Sequence, residues 1–227
     1  MNRSILAEPT LSKPLHHWQP ATWEDYVRLR DEPADEEIRL FFNQNYLFVD
    51  MGNEGIDHAR FSRLFAMLFF FWFSRKPEVI FDDLGGCVLE KPNQQGASPD
   101  LVLYIGEGSP RWQKGEPRRI NLDNWRVPDL VGEVADTTIA TDLDEKKQLY
   151  AALGIPEYWV VDIRAERVFV FCLEEEGKYK ECQTSVALEG LSVSLLEQTL
   201  QQLNQGTNGS AALWFSQQIA NSSDSES

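Results

Sequence analysis

The charged residues between Pro128 and Tyr150 are the part of the sequence whose types and spacing best fit a chemical role. The segment "PDLVGEVADTTIATDLDEKKQLY" places an apolar strand with two carboxylates, Asp129 and Glu133, before a helix with two lysines. Carboxylates can hold a divalent cation, and a lysine can stabilise charge that develops on a phosphate. The same residues would also suit an ordinary strand and helix with solvated charges. The positions of the neighbouring strands and helices distinguish these two alternatives.

Strand geometry determines which carboxylates can point into the protein. Successive side chains of a strand point to opposite faces, so Asp129, Val131 and Glu133 share one face. A buried acid is costly without a compensating partner, which makes Glu133 a candidate site residue. Asp100 opens the earlier apolar strand "DLVLYI" and also follows a proline. If these strands are neighbours, Asp100 and Glu133 converge and can hold Mg²⁺, which takes oxygen ligands and keeps several waters.

The next helix is predicted over residues 142–153, capped by Thr141 and ended by a Gly and Pro stop signal. Lys146 and Tyr150 lie four residues apart on one face of this helix, whereas Lys147 is rotated by about 100°. Tyr150 is expected to face the core. Lys146, not Lys147, is therefore the lysine that flanks the inward side.

Three segments resemble the signature blocks of a known family. "SPDLVLYI", "PDLVGEV" and "TDLDEKKQLYAALGIPEYWVVD" are similar to those of the Uma2 family, formerly a domain of unknown function that is common in cyanobacteria. The resemblance covers roughly residues 37–171. It implies an α/β restriction-endonuclease-like core, with a mixed central sheet flanked by helices and an N-terminal β-hairpin. It also implies a relation to the PD-(D/E)xK nucleases, which cleave phosphodiester bonds in DNA.

The resemblance also implies roles for individual residues. Asp100 and Glu133 would hold Mg²⁺ or Mn²⁺, and Lys146 would activate the attacking water or stabilise the transition state. Ala135 stands where a PD-(D/E)xK lysine would be, so the lysine must come from the following helix. Relatives often carry an acid in the N-terminal hairpin, and the comparable segment "RLFFNQNYL" has none. A supporting role at the site is predicted for Glu90, as a replacement for that acid, and for His58, for which a helix cap or core position is the alternative. Asp129 is expected to be structural, with a supporting place at the far side of the site as the alternative.

The segment over residues 106–126 is a long loop rich in glycine, proline and arginine. Loops of this length inside a domain are often functional. Its arginines alternate with tryptophans, a combination that can bind phosphates and stack on bases. The candidate nucleic-acid contacts are Arg111, Arg118, Arg119 and Arg126. A surface loop that only connects two strands explains the pattern equally well.

Composition narrows the classes of protein that remain. The net charge is −15, from 21 basic and 36 acidic residues, which argues against generic coating of nucleic acid by a basic surface. The most apolar stretch, "LFAMLFFFWF", is ten residues long. A membrane span needs about 20. With three scattered cysteines and no apolar signal segment, a cytoplasmic protein without membrane contact is expected.

The sequence predicts a loosely ordered arm over residues 1–20 and a single restriction-endonuclease-like domain over 21–204. A partly disordered C-terminal tail is predicted over 205–227. The expected function is a metal-dependent DNA endonuclease, and cleavage of both strands of a duplex would favour a homodimer. The alternative is a catalytically inactive nuclease-fold protein that acts as a binding or assembly module. The acidic charge and the missing hairpin acid favour this alternative.

Overall fold

The computed structural model describes residues 17–32, 38–51 and 55–224, which form a mixed α/β fold. The strands within these ranges are β1 (Gln19–Pro20), β2 (Ile38–Asn43), β3 (Tyr46–Met51), β4 (Phe81–Asp83), β5 (Leu89–Lys91), β6 (Gln95–Ala97), β7 (Leu101–Ile105), β8 (Ile120–Asn121), β9 (Leu130–Ala135), β10 (Glu157–Asp162), β11 (Arg167–Leu173) and β12 (Tyr179–Cys182). The helices there are α1 (Trp23–Asp31), α2 (Ile56–Ser74), α3 (Ile139–Leu143), α4 (Glu145–Ala152), α5 (Val193–Gln205) and α6 (Asn208–Asp224).

The strands form two mixed sheets. The first sheet has the order β1-β3-β2-β6-β5-β8, and the second has the order β12-β11-β10-β9-β7-β4. In the second sheet β9 and β10 run parallel, and β7 pairs with β9 in antiparallel fashion. The sequence correctly predicted the restriction-endonuclease-like α/β fold. It did not predict that the N-terminal hairpin belongs to a separate sheet, the first one, together with β6.

Alternation along β9 assigns each of its side chains to one of two core layers. Leu130 and Val134 belong to the layer that contains Trp159 of β10 and the buried residues of α2, α5 and α6. Val131 and Ala135 point the other way and pack with apolar residues of the first sheet and of α4. Because Glu133 has the same parity as Val131, its carboxylate lies in the layer between the two sheets.

The hairpin of β2 and β3 is present as predicted, with the turn at Gln44 and Asn45. Both turn residues have positive φ, 50° and 63°, which matches the two-residue turns that suit the twist of a hairpin. Phe41 pairs with Phe48, and both are buried between the sheets. Arg39 lies two residues before Phe41 and therefore shares its inward face.

The helix predicted over residues 142–153 is divided into α3 and α4. Asp144 adopts φ −123° and ψ −86° between them, outside helical geometry. Thr141 lies inside α3 and does not cap the helix; its hydroxyl accepts a hydrogen bond from Trp18 Nε1 at 2.7 Å. The predicted arm is therefore ordered from residue 17, with Gln19 paired to Leu47 of β3. Residues 1–16 of that arm lie outside the described residues.

The predicted C-terminal tail is wrong over residues 208–224, which form α6. Ala211, Phe215 and Ile219 are buried in the layer that α6 shares with α2 and α5. These residues recur at helical spacing, although the serine, asparagine and glutamine between them hide the pattern. Thr207 caps the helix, because its hydroxyl accepts from the Ser210 backbone N–H at 3.2 Å. Residues 225–227 lie outside the described residues.

None of the described helices is both long and apolar enough to cross a bilayer. The aromatic run that the sequence singled out is in α2. Phe61, Phe65 and Phe69 are buried against the second sheet, and Phe65 meets Trp159 edge to face with 5.9 Å between ring centroids. The run is therefore core on one face, whereas Phe70 on the other face is 58% exposed.

Removing the Phe215 side chain tests whether α6 is part of the folded core. We expect Phe215→Ala to lower the free energy of unfolding by about 3–5 kcal/mol, because it leaves a cavity in a packed layer. Leu213→Ala on the same helix is the control. Leu213 is 58% exposed, and its loss should cost about 0.5 kcal/mol or less. Urea denaturation measures both values, and equal effects would contradict the packing described here.

Candidate active site

Asp100 and Glu133 lie side by side on neighbouring strands. Leu101 of β7 is opposite Gly132 of β9, so Asp100 and Glu133 are the next pair in the same register. Both side chains point into the layer between the sheets, and the Val134 backbone N–H donates to Asp100 Oδ2 at 2.7 Å. The sequence predicted that Asp100 and Glu133 converge only if their strands are neighbours, and the strands are neighbours.

Lys146 of α4 inserts its ammonium group into the same layer. Its Nζ lies 3.0 Å from Glu133 Oε2 and 2.8 Å from Asp142 Oδ1. The Phe41 ring lies beneath it, with 4.0 Å between Nζ and the ring centroid. Only 1% of the Lys146 side chain is exposed, so this is a buried charge with two counter-ions and not a solvated helix lysine.

The helix-face argument for Lys146 agrees with the position of Tyr150. Tyr150 lies one turn further along α4, and its hydroxyl donates a short hydrogen bond to Glu133 Oε1. Lys147 points elsewhere, with its Nζ 4.7 Å from the centroid of the Phe171 ring. One face of α4 therefore supplies two donors to Glu133, one to each oxygen.

Arg39 completes the cluster, and the sequence analysis missed it. Its Nη1 lies 2.8 Å from Asp100 Oδ1, and its Nη2 lies 3.1 Å from Glu133 Oε2. Its Nε also donates to the Ser98 carbonyl oxygen at 3.0 Å. The sequence did contain a sign of this residue. The hairpin segment "RLFFNQNYL", which lacks the acid that relatives carry, begins with Arg39, and strand alternation places Arg39 on the inward face with Phe41.

Two further residues join the cluster, one predicted and one not. His58, in the first turn of α2, places its Nε2 3.3 Å from Asp100 Oδ2. The supporting role predicted for it stays a prediction. Asp142 was read only as the start of a helix. It is fully buried, accepts from Thr138 Oγ1 at 2.6 Å and pairs with Lys146 one helical turn later.

For Glu133, Asp100 and Lys146, burial and the neighbouring opposite charges act on the pKa in opposite directions. Burial, together with the nearby negative charges of Asp100 and Asp142, raises the pKa of Glu133 by more than Lys146 and Arg39 lower it. Burial also acts to raise the pKa of Asp100, but the positive charge of Arg39 and the contact with His58 outweigh it, and the pKa is lowered. For Lys146, burial favours the neutral amine, but the charges of Glu133 and Asp142 raise its pKa above the usual value. The lysine is therefore held in its charged form.

The other two predicted supporting residues lie apart from this cluster. Glu90 points to the opposite face of the first sheet, where it accepts from Tyr26, Arg30 and Arg119. It does not replace the missing hairpin acid. Asp129 lies four residues before Glu133, about 13 Å away along an extended strand. It accepts from the Ile105 N–H and from Arg126, which is a structural role.

The four arginines of the 106–126 loop differ in whether an acidic side chain of the protein already pairs with them and in how exposed they are. Arg119 pairs with Glu90 at 2.7 Å, and Arg126 pairs with Asp129 at 2.8 Å. Arg111 is exposed although it pairs with Asp82. Arg118 is exposed, and its guanidinium carbon lies 5.6 Å from the centroid of the Trp112 ring. Arg111 and Arg118 are therefore the two that remain accessible to a phosphate.

Comparison with known proteins identifies the family. The family model of Uma2, described as "Putative restriction endonuclease", matches residues 23–207. The chain belongs to the Uma2 family. The crystal structure of "a putative nuclease belonging to DUF820" from Anabaena variabilis ATCC 29413 matches with a TM-score of 0.55 and 17% identity, over 80% of this chain and 99% of that chain. No curated protein matches the chain.

Membership in Uma2 confirms the resemblance noted from the sequence and supports a nuclease function. The solved structure is too distant in sequence to support more than the fold. Within the Uma2 region, the cluster of Arg39, Asp100, Glu133, Asp142 and Lys146 brings three carboxylates with buried side chains together with two cations.

Replacing Lys146 tests whether the cluster depends on its charge. Lys146→Met should lower the free energy of unfolding by about 3–5 kcal/mol, because two buried carboxylates lose their common cation. Lys147→Met on the same helix is the matched control. It removes a cation above the Phe171 ring and should cost about 1 kcal/mol or less. Similar losses for both variants, measured by denaturant unfolding, would show that Lys146 is not a buried counter-ion.

Proposed function

We propose that this chain is an endonuclease that hydrolyses phosphodiester bonds in DNA, with Asp100, Glu133 and Lys146 as its catalytic residues. The observation that carries the proposal is the ion pair between Lys146 and Glu133. A lysine from a separate helix meets the glutamate that the Uma2 resemblance selects, and the selected aspartate lies on the adjacent strand. Three residues from separate blocks of sequence therefore converge at one point of a nuclease fold.

The chemistry of the three residues suits attack of water on phosphorus. Lys146 is held in its charged form and can stabilise the negative charge that grows on the phosphate oxygens in the transition state. Glu133 has a raised pKa, which suits a group that takes a proton from the attacking water. Arg39 and His58 are more exposed than the carboxylates they contact, so substrate would approach from their side.

The family resemblance also implies Mg²⁺ or Mn²⁺ held by Asp100 and Glu133, and the donor set does not fit that ion as it stands. Each carboxylate already accepts from three protein donors, and Arg39 bridges the two. Among the described residues, no group of three histidine, cysteine or acidic side chains is arranged to hold a metal ion. We therefore assign no catalytic step to a metal.

The exposed arginines of the 106–126 loop are the proposed contacts for the DNA backbone. Arg118 and Arg111 are exposed, and Trp112 beside them is 57% exposed, which gives a cation next to an aromatic surface. Such a pair can bind a phosphate and stack on an unpaired base. Arg119 and Arg126, which the sequence also suggested, are held by Glu90 and Asp129 and contribute less to this surface.

A second candidate function is a nuclease-fold protein without activity that binds nucleic acid or another protein. The bridging position of Arg39 favours it, because the carboxylates of the site are already neutralised within the protein. The two functions make different predictions for the wild-type chain. The endonuclease cleaves DNA, whereas the binding module retains DNA in a mobility-shift assay and leaves it intact.

Cleavage of supercoiled plasmid is the experiment that tests the proposed function. Wild-type protein should convert the plasmid to nicked and linear forms, assayed with and without Mg²⁺ or Mn²⁺. Glu133→Gln and Lys146→Met should each reduce the rate by about 100-fold or more, because each removes a proton acceptor or a fixed charge from the transition state. Lys147→Met, outside the cluster, should cleave at the wild-type rate. Intact plasmid in every condition, or equal rates for Lys146→Met and wild type, would refute the endonuclease.

We further propose that the active form is a homodimer. The two strands of a duplex are related by two-fold symmetry, and one site per strand therefore calls for two chains related in the same way. Sedimentation velocity should show a species of twice the chain mass at the concentrations used for cleavage. A monomer under those conditions, with both strands still cut at one position, would contradict the dimer.

A further inference from the structure

Arg39 lies at the point where a metal ion shared by Asp100 and Glu133 would have to be. Its two terminal nitrogens contact one oxygen of each carboxylate, at 2.8 and 3.1 Å. A metal that bridged the same two oxygens would bind them at about 2.0–2.1 Å if it were Mg²⁺. Both cations cannot occupy the space between these oxygens, because they would overlap and their like charges would repel.

The guanidinium is fixed in this position by the first sheet. Its Nε and Nη2 both donate to the Ser98 carbonyl oxygen, at 3.0 and 2.5 Å. Ser98 directly follows β6, and its hydroxyl donates to the Leu40 carbonyl oxygen of β2 at 3.3 Å. The arginine is thus tied to the strand that carries it and to the strand beside it. The contact with the Ser98 carbonyl oxygen does not involve the two carboxylates, so it holds the guanidinium independently of them.

The charges of the cluster are consistent with a built-in cation. Three carboxylates with buried side chains, Asp100, Glu133 and Asp142, face two permanent cations, Arg39 and Lys146. An arginine side chain does not lose its proton in proteins, so Arg39 supplies its charge at every physiological pH. With all three acids ionised and His58 neutral, removal of Arg39 would leave an excess of two negative charges, which is the charge that one divalent ion balances.

We infer that Arg39 is a resident cation that takes the place of the divalent metal at this site. Wild-type protein therefore does not bind Mg²⁺ or Mn²⁺ at Asp100 and Glu133, and removal of the arginine opens a metal site there. The inference concerns residues of the proposed active site, and its relevance to catalysis rests on the proposed endonuclease function. Its test measures metal binding, so the inference and the endonuclease can fail separately.

Titration with Mn²⁺, followed by the electron paramagnetic resonance of the free ion, tests the inference. Wild type should bind no Mn²⁺ at this site, whereas Arg39→Met should bind about one Mn²⁺ per chain. The binding should disappear in the double variant with Glu133→Gln. Arg39→Lys, which restores a positive charge, should again bind none.

Arg30→Met is the matched control. Arg30 contacts the buried Glu90 at 2.7 Å, with 13% of its side chain exposed against 16% for Arg39. Arg30 also contacts two acids, but Asp31, the second of them, is 56% exposed, and Glu90 keeps Arg119 as a partner. Only Arg39 of the two arginines lies between two carboxylates with buried side chains. Arg30→Met should bind no Mn²⁺, so binding by Arg39→Met alone would identify the position between two buried acids as the cause.

The inference is overturned if wild type binds Mn²⁺ and Glu133→Gln abolishes that binding. It is also overturned if folded Arg39→Met binds none. If Arg39→Met does not fold in buffer, refolding with Mn²⁺ decides the question, because a divalent ion should replace the lost charge. Recovery with Mn²⁺ but not with K⁺ at equal ionic strength supports the inference, and no recovery contradicts it.

Discussion

The burial of Glu133 between two sheets is the constraint on which the rest of the site depends. A carboxylate removed from water is costly unless opposite charge and hydrogen bonds compensate it. Two elements supply that compensation: α4 brings Lys146 and Tyr150, and β2 brings Arg39. The first sheet, the second sheet and α4 must therefore meet at this point, and a shift of any one of them leaves a buried charge without a partner.

A second buried acid, Glu157, shows how a carboxylate with a purely structural role is compensated. Glu157 at the start of β10 is as buried as Glu133, but its donors are neutral: Trp159, Ser185 and the backbone N–H groups of Val186 and Ala187. Neutral donors anchor the loop before α5 and hold one acid without further charge. The cluster at Glu133 instead concentrates three acids and two cations. Burying three acids and two cations costs more desolvation free energy than holding one acid with neutral donors. The cluster at Glu133 is therefore a better candidate for an active site than Glu157 is.

The predicted and observed secondary-structure elements differ where an element is fixed by tertiary contacts and not by its local sequence pattern. The strands β7 and β9 are strongly apolar and were predicted from sequence. The short strand β6 was not predicted, because its three residues are stabilised by neighbouring strands on both sides, which no local pattern encodes. The helix break at Asp144 was missed for the same reason. Packing of Trp18 on Thr141 and of Lys146 between two acids fixes α3 and α4 separately.

The sequence by itself determined the α/β class and, through the resemblance of three segments, the family. That resemblance implied the roles of Asp100, Glu133 and Lys146, and alternation along a strand and the turn of a helix predicted that Glu133 and Lys146 face inward. The sequence could not determine what stands between the two acids. Arg39 is about sixty residues from Asp100 in the chain, and only the packing of one sheet on the other brings its guanidinium to both carboxylates. The position of the cation at this site is a property of the tertiary structure, since the electrostatic interaction depends on distance in space and not on separation in sequence.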